Sequence, residues 1–175
     1  MKKRLYFFDG DGTLWYPPTT KRTIKPHWVY QDPQTKDNHL DHLPLTPGVT
    51  ELLPRLYEQE IFIVVISAHP GPQDQAMQEM HTKLTHFRLI DYIHSYHITP
   101  GDDPHGKTSV IRQVLAELNL KPSQAIMIGD SYYYDYLGAK DAGIDALWIQ
   151  NPSCKVPETF PEDLTTITEI SDLLP

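Results

Sequence analysis

Apolar residues in this chain fall into two patterns. Short apolar runs at residues 5–8, 61–66, 125–128 and 144–149, the last interrupted by Asp145, read as strands. Continuous apolar character marks strands buried on both faces. Between them, apolar residues recur at helical spacing. Val49, Leu52, Leu53 and Leu56 form one stripe behind Thr46-Pro47, which reads as an N-cap and first helical position. Pro54 predicts that this helix is kinked or short. Residues 73–86 form a polar helix with Ala76, Met77, Met80 and Leu84 facing inward, and residues 92–97 read as a short strand. Val110, Ile111, Val114, Leu115 and Leu118 form a third helix opened by Lys107. Residues 131–142 form a fourth, closed by Gly143. A short helix is expected near 167–173.

Strands alternating with helices predict an α/β fold: a three-layer, Rossmann-like, doubly wound parallel sheet in a single domain over residues 1–175. Residues 151–175 form a tail. Residues 15–46 break the pattern with Pro17, Pro18, Pro26, Pro33 and Pro44. A stretch this long is either a surface excursion, with Trp28 tucked into a groove, or a flap that helps select substrate.

In parallel sheets the ligand site lies at the carboxyl ends of strands. Asp9, Ser67 and Asp130 each stand just past the end of a predicted strand. Asp9-Gly10-Asp11-Gly12-Thr13 crowds two carboxylates into a glycine turn, an arrangement that invites a cation or a shared proton. Asp135 adds a fourth carboxylate. Lys107 at a helix start and Ser67, with the backbone N–H of Ala68 after it, add groups that hold an anion. Together they describe a phosphoryl-transfer site.

The 175 residues carry a formal charge of −8, which argues against nucleic acid as the main partner. The single Cys154 excludes an internal disulfide and fits a reducing compartment. No apolar run is long enough to span a membrane. The expectation is a soluble, cytoplasmic protein.

The ordered set Asp9-Gly-Asp11-Gly-Thr13, Ser67, Lys107 and Gly129-Asp130-Ser131-Tyr-Tyr-Tyr-Asp135 resembles the four motifs of the haloacid dehalogenase-like (HAD) superfamily. The resemblance implies a phosphatase acting on a small phosphorylated molecule. Asp9 would be the nucleophile, forming an aspartyl-phosphate. Asp11 would be the general acid, then the base. Thr13 would support the turn and the phosphate site. Ser67, Ala68 and Lys107 would hold the phosphoryl oxygens. Magnesium would be bound by Asp9, Asp130 and the backbone carbonyl of Asp11, with Asp135 supporting. The short gaps imply a capless or minimally capped member, similar to the magnesium-dependent phosphatase branch.

Two other readings remain. Gly101 to Thr108 fits the P-loop pattern of a nucleotide-binding protein or kinase, although Asp102, Asp103 and Pro104 are poorly suited to a phosphate cradle. The chain could also be a silent HAD-fold module that binds a phospho-ligand without turnover. His69 and the run Tyr132, Tyr133 and Tyr134 are candidates near the crevice, with helix packing expected for two of the tyrosines. His27, His39 and His42 match no zinc spacing.

Overall fold

The computed structural model describes residues 2–16, 29–101, 103, 105–152 and 154–174. Five strands and four helices build the frame: β1 (Leu5–Phe8), α1 (Val49–Glu58), β2 (Phe62–His69), α2 (Gln73–His86), β3 (Ser95–Pro100), α3 (Gly106–Glu117), β4 (Ala125–Gly129), α4 (Leu137–Asp141) and β5 (Asp145–Ile149). A two-residue strand, β6 (Thr166–Ile167), completes a parallel sheet of order β3-β2-β1-β4-β5-β6. The expected three-layer fold is present. Phe8, Ile63 and Val65 pack with α1 and α2 on one face of the sheet. Phe7, Val64 and Ile66 pack with α3 and α4 on the other. This alternation is what a strand buried on both faces produces, and it explains the unbroken apolar runs.

Several boundaries differ from the sequence expectation. Thr46 does not cap α1. Gly48, at φ +92, takes that position, and the Thr46 hydroxyl instead donates to the carbonyl of Thr13 at 2.6 Å. The helix continues through Pro54 for ten residues. Strand β2 runs on to His69 because β3 pairs with it as far as His69 opposite Pro100. Ser67 therefore lies inside the strand, and residues 95–100 form β3 rather than 92–97. The segment after β4 opens with a π-turn, Tyr132–Tyr136, before α4. In the tail, a 3-10 turn at Ile170–Leu173 replaces the longer helix.

Among its described residues the insertion contributes the kinked 3-10 segment Lys36–His42. Trp28 and His27 lie outside the described residues. No helix of the described chain is long and apolar enough to cross a membrane.

Candidate active site

The strand order reverses direction between β1 and β4, which puts a crevice at their carboxyl ends. Phe8 pairs with Ile128, and the next backbone N–H, that of Asp9, donates to the Ile128 carbonyl at 3.0 Å. Register therefore sets Asp9 beside the end of β4, where Asp130 follows. Asp9, Asp130 and Asp135 each place a carboxylate oxygen within 4.8 Å of the others, and all three residues are buried. Lys107, 2% exposed, donates to Oδ1 of Asp9 and Oδ1 of Asp135, both at 2.5 Å. It reaches them from the first turn of α3.

Two glycines make this crowding possible. Gly12 sits at φ +92, and a β-carbon there would stand 2.0 Å from Oδ2 of Asp130. At Gly129 a β-carbon would meet the Asp135 carboxyl carbon at 2.2 Å. The π-turn has a matching cause. Asp135 Oδ2 accepts the backbone N–H of Ser131 at 2.8 Å, and the Tyr136 N–H reaches the Ser131 carbonyl across the widened turn at 3.2 Å. That widening brings Asp135 inward to Lys107. Single π-turns recur at functional sites.

Three buried carboxylates around one lysine carry an excess of two negative charges. Burial pushes the Asp9 carboxyl well above its usual range. Lys107 opposes this, and Asp135 and Asp130 reinforce it. Burial works against the Lys107 ammonium too, but Asp135 and Asp9 outweigh it and raise its pKa. The donor set is all carboxylate oxygen, which suits a hard divalent cation such as magnesium.

The side chain of Asp11 is not part of this acidic group. Its Oδ1 accepts from Trp15 Nε1 at 2.5 Å, from Tyr30 Oη at 2.9 Å and from Lys83 Nζ at 3.3 Å. Asp130 is fixed from the tail side: Asn151 Nδ2 donates to its Oδ2 at 2.5 Å, and Trp148 Nε1 to its carbonyl at 2.8 Å.

A cavity of about 770 Å³ opens over these groups. Asp9, Asp11, Ser67, Ala68, Lys107 and Asp130 all line it, so six residues singled out from the sequence meet at one place. Asp135 stands just beneath, through Lys107. Thr13 does not line the cavity. It is fully buried, and its carbonyl holds Thr46, so it supports the turn from below. His69, Tyr133 and Tyr134 reach the cavity, while Tyr132 packs on Tyr136 and Trp148. One tyrosine packs and two face the crevice, the reverse of the expected split.

Tyr30, Lys83 and Asn151 were not foreseen. Lys83 falls in the inward stripe Ala76, Met80, Lys83, Leu84 of α2, so helical spacing could have found it. Asn151 follows the end of β5 and obeys the same strand-end rule that singled out Asp9 and Asp130. Nothing local marked Tyr30.

The P-loop reading fails here. Lys107 is held between two carboxylates, and the Thr108 hydroxyl donates to the Gly138 carbonyl at 3.0 Å. Thr108, which that pattern would aim at a nucleotide's metal ion, is buried and turned into the fold instead.

Comparisons with known proteins agree with this geometry. A family model described as haloacid dehalogenase-like hydrolase matches residues 16–149. A glyceraldehyde 3-phosphate phosphatase of Pyrococcus furiosus is 30% identical over 112 residues, covering 62% of this chain and 43% of that protein. The chain thus spans less than half the length of that curated relative. Among solved structures, a predicted phosphoglycolate phosphatase from Haemophilus somnus 129pt superposes with a TM-score of 0.70 at 17% identity, over 99% of this chain and 97% of its own. A HAD-superfamily hydrolase from Ehrlichia chaffeensis gives 0.65 at 20% identity, over 99% and 95%. At these identities the likeness is one of fold.

Proposed function

Because the chain belongs to the haloacid dehalogenase-like hydrolase family, we propose that it is a magnesium-dependent phosphomonoester hydrolase working through an aspartyl-phosphate on Asp9. The observation that carries this reading is the placement of Asp9. It follows the central strand, lines the cavity, pairs with Lys107, and lies within 4.8 Å of the carboxylates of Asp130 and Asp135.

A carboxylate oxygen of Asp9 attacks phosphorus as the bond to the leaving oxygen breaks. Asp11 donates a proton to that leaving oxygen. Asp11 then takes a proton from water, whose oxygen attacks the phosphoryl group, releasing phosphate and freeing Asp9. The Ser67 hydroxyl, the Ala68 N–H and the Lys107 ammonium hold the phosphoryl oxygens, where preorganised donors act most strongly. Asp9, Asp130 and the Asp11 carbonyl would hold a magnesium ion, which would supply positive charge against the crowded oxygens. Asp135 keeps Lys107 aimed at Asp9.

The named substrates of the relatives, glyceraldehyde 3-phosphate and phosphoglycolate, are small phosphomonoesters. A small phosphorylated molecule is the substrate class assigned here. The insertion at 15–46 serves as a flap rather than a cap domain, since Tyr30, Gln31, Lys36 and His39 form one cavity wall. The single cysteine fits work in the cytoplasm.

The test is phosphate release from a panel of small phosphomonoesters with and without magnesium, beside Asp9→Asn. Magnesium-dependent release that Asp9→Asn abolishes is expected. Release by Asp9→Asn as fast as the parent defeats the mechanism. Tight binding of a phosphoester without release would identify a silent binding module instead.

A further inference from the structure

Among the described residues, Asp11 is gripped by three side chains that the four motifs do not include. The insertion supplies Tyr30, whose hydroxyl lies 2.9 and 3.0 Å from the two carboxylate oxygens of Asp11. Helix α2 supplies Lys83, whose Nζ is 3.3 Å from Oδ1. The turn supplies Trp15. Lys83 is only 7% exposed, and lysines are rarely buried without a paired charge. Its ammonium also lies 4.7 Å from the centre of the Tyr30 ring and 5.7 Å from that of Trp15, where the ring faces attract a cation. Trp15 in turn stacks on Phe87, which caps α2. Burial, followed by the charge of Asp11, pushes the Tyr30 phenol far upward, so it stays a neutral donor. Tyr30 and Lys83 both line the cavity beside Asp11.

We infer that Tyr30 and Lys83 are positioning residues for proton transfer by Asp11, holding its carboxyl where the leaving oxygen departs. The inference rests on the assignment of Asp11 as the general acid. It gives the proline-rich insertion a direct part in the chemistry. A group serving only this step matters in proportion to how much the leaving oxygen needs a proton. An alkyl phosphate must expel an alkoxide, which needs one. A nitrophenyl phosphate expels a stabilised phenolate, which does not.

The experiment measures kcat/KM for one alkyl phosphate and for nitrophenyl phosphate, with parent, Tyr30→Phe, Lys83→Met, Lys83→Arg and Asp11→Asn. The ratio kcat/KM reports the first phosphoryl transfer, before the second proton step. Tyr30→Phe and Lys83→Met are expected to lose about 10- to 100-fold on the alkyl ester and less than about 3-fold on the aryl ester, a part of the roughly 10²- to 10⁴-fold that general acid–base catalysis contributes. Lys83→Arg keeps a cation over the two rings and recovers most of the loss. Equal losses on both esters by Tyr30→Phe, with Asp11→Asn still selective, overturn the inference. Lack of selectivity in Asp11→Asn itself instead strikes the assignment of Asp11. Should Lys83→Met fail to fold, Tyr30→Phe and Lys83→Arg decide the matter, because Tyr30→Phe removes a single oxygen.

Discussion

Lys107→Met probes the electrostatics at the centre of the sheet's carboxyl edge. Lys107 bridges Asp9 and Asp135 at 2.5 Å each. Methionine keeps an unbranched stem of similar size and deletes the charge. Three carboxylates then face one another within 4.8 Å. At an effective dielectric of about 20, a pair at that spacing repels by ~3.5 kcal/mol. The folded variant has one escape, which is to bind a proton. From an ordinary aspartate value of 3.8, that costs ~4.4 kcal/mol at pH 7. Breaking a buried ion pair by removing one partner costs about 3–5 kcal/mol, so the two routes agree near 4 kcal/mol. The sign with pH follows. The folded variant holds a proton that the unfolded chain lacks, so its stability falls as pH rises above 3.8, by up to ~1.4 kcal/mol per pH unit. In the parent, Lys107 has a raised pKa, so its contribution is complete below 10.5 and is lost only as pH climbs through the raised value. Urea unfolding in EDTA reads both effects. With a slope of about 2 kcal/mol per molar, the midpoint drops by about 2 M at pH 7. Burial already raises Asp9 in the parent, so both chains lose stability as pH climbs above 3.8, and the deficit shrinks toward pH 6 only by the proton the variant binds beyond the parent, at most ~1.4 kcal/mol per pH unit. A variant within about 1 kcal/mol of the parent at pH 7, or a deficit that does not shrink, refutes this reasoning.

Gly12→Ala costs about 1–2 kcal/mol from the left-handed backbone alone. It also drives Asp130 off its position, so hydrolysis falls at least about tenfold; an unchanged melting temperature and rate would contradict both. Magnesium at about 100 times its dissociation constant adds ~2.7 kcal/mol, which raises the melting temperature by about 5–10 °C for a chain of this size. Asp130→Asn removes that rise, and a parent whose melting ignores magnesium denies the metal site. Burial lowers the His97 pKa below 6.5, against an opposing pull from Glu117. Protons therefore favour the unfolded chain, and stability is lost as pH falls below 6.5. His97→Gln flattens that slope in chemical denaturation, and an unaltered slope removes His97 as its source.

The sheet was legible because its central strands are buried on both faces. Residues 5–8, 62–66 and 125–128 needed no partner to be recognised, and the aspartates beyond their ends came with them. The edges were not legible. Strand β3 contains Ser95, His97 and Pro100 because one side of it is unpaired, so its apolar signal is thin. The end of β2 is set by that same strand, which explains why β2 runs three residues past Ile66 and takes in Ser67. Tyr30 was invisible for a different reason. Its contacts with Asp11, Lys83 and His39 all depend on where an aperiodic segment lands. Local sequence carries no record of that.

Asp9 and Asp11 are chemically identical and two residues apart, and the fold gives them different surroundings. The strand ends at Asp9, so Asp9 inherits the sheet register and meets Asp130 and Lys107. The turn then reverses through Gly12, and Asp11 faces away toward Trp15, Tyr30 and Lys83. One carboxylate sits among other anions and a single lysine, where charge crowding favours a cation and a bound phosphoryl group. The other sits at the cavity wall among the donors of Trp15, Tyr30 and Lys83, with its side chain outside the acidic cluster. Pairs of acids separated by environment in this way can divide nucleophilic and proton-transfer work. The division depends on the glycine at position 12 more than on either aspartate's neighbours in sequence. Without a left-handed residue there, the chain could not turn the Asp11 side chain toward Trp15, Tyr30 and Lys83 while leaving room for Asp130.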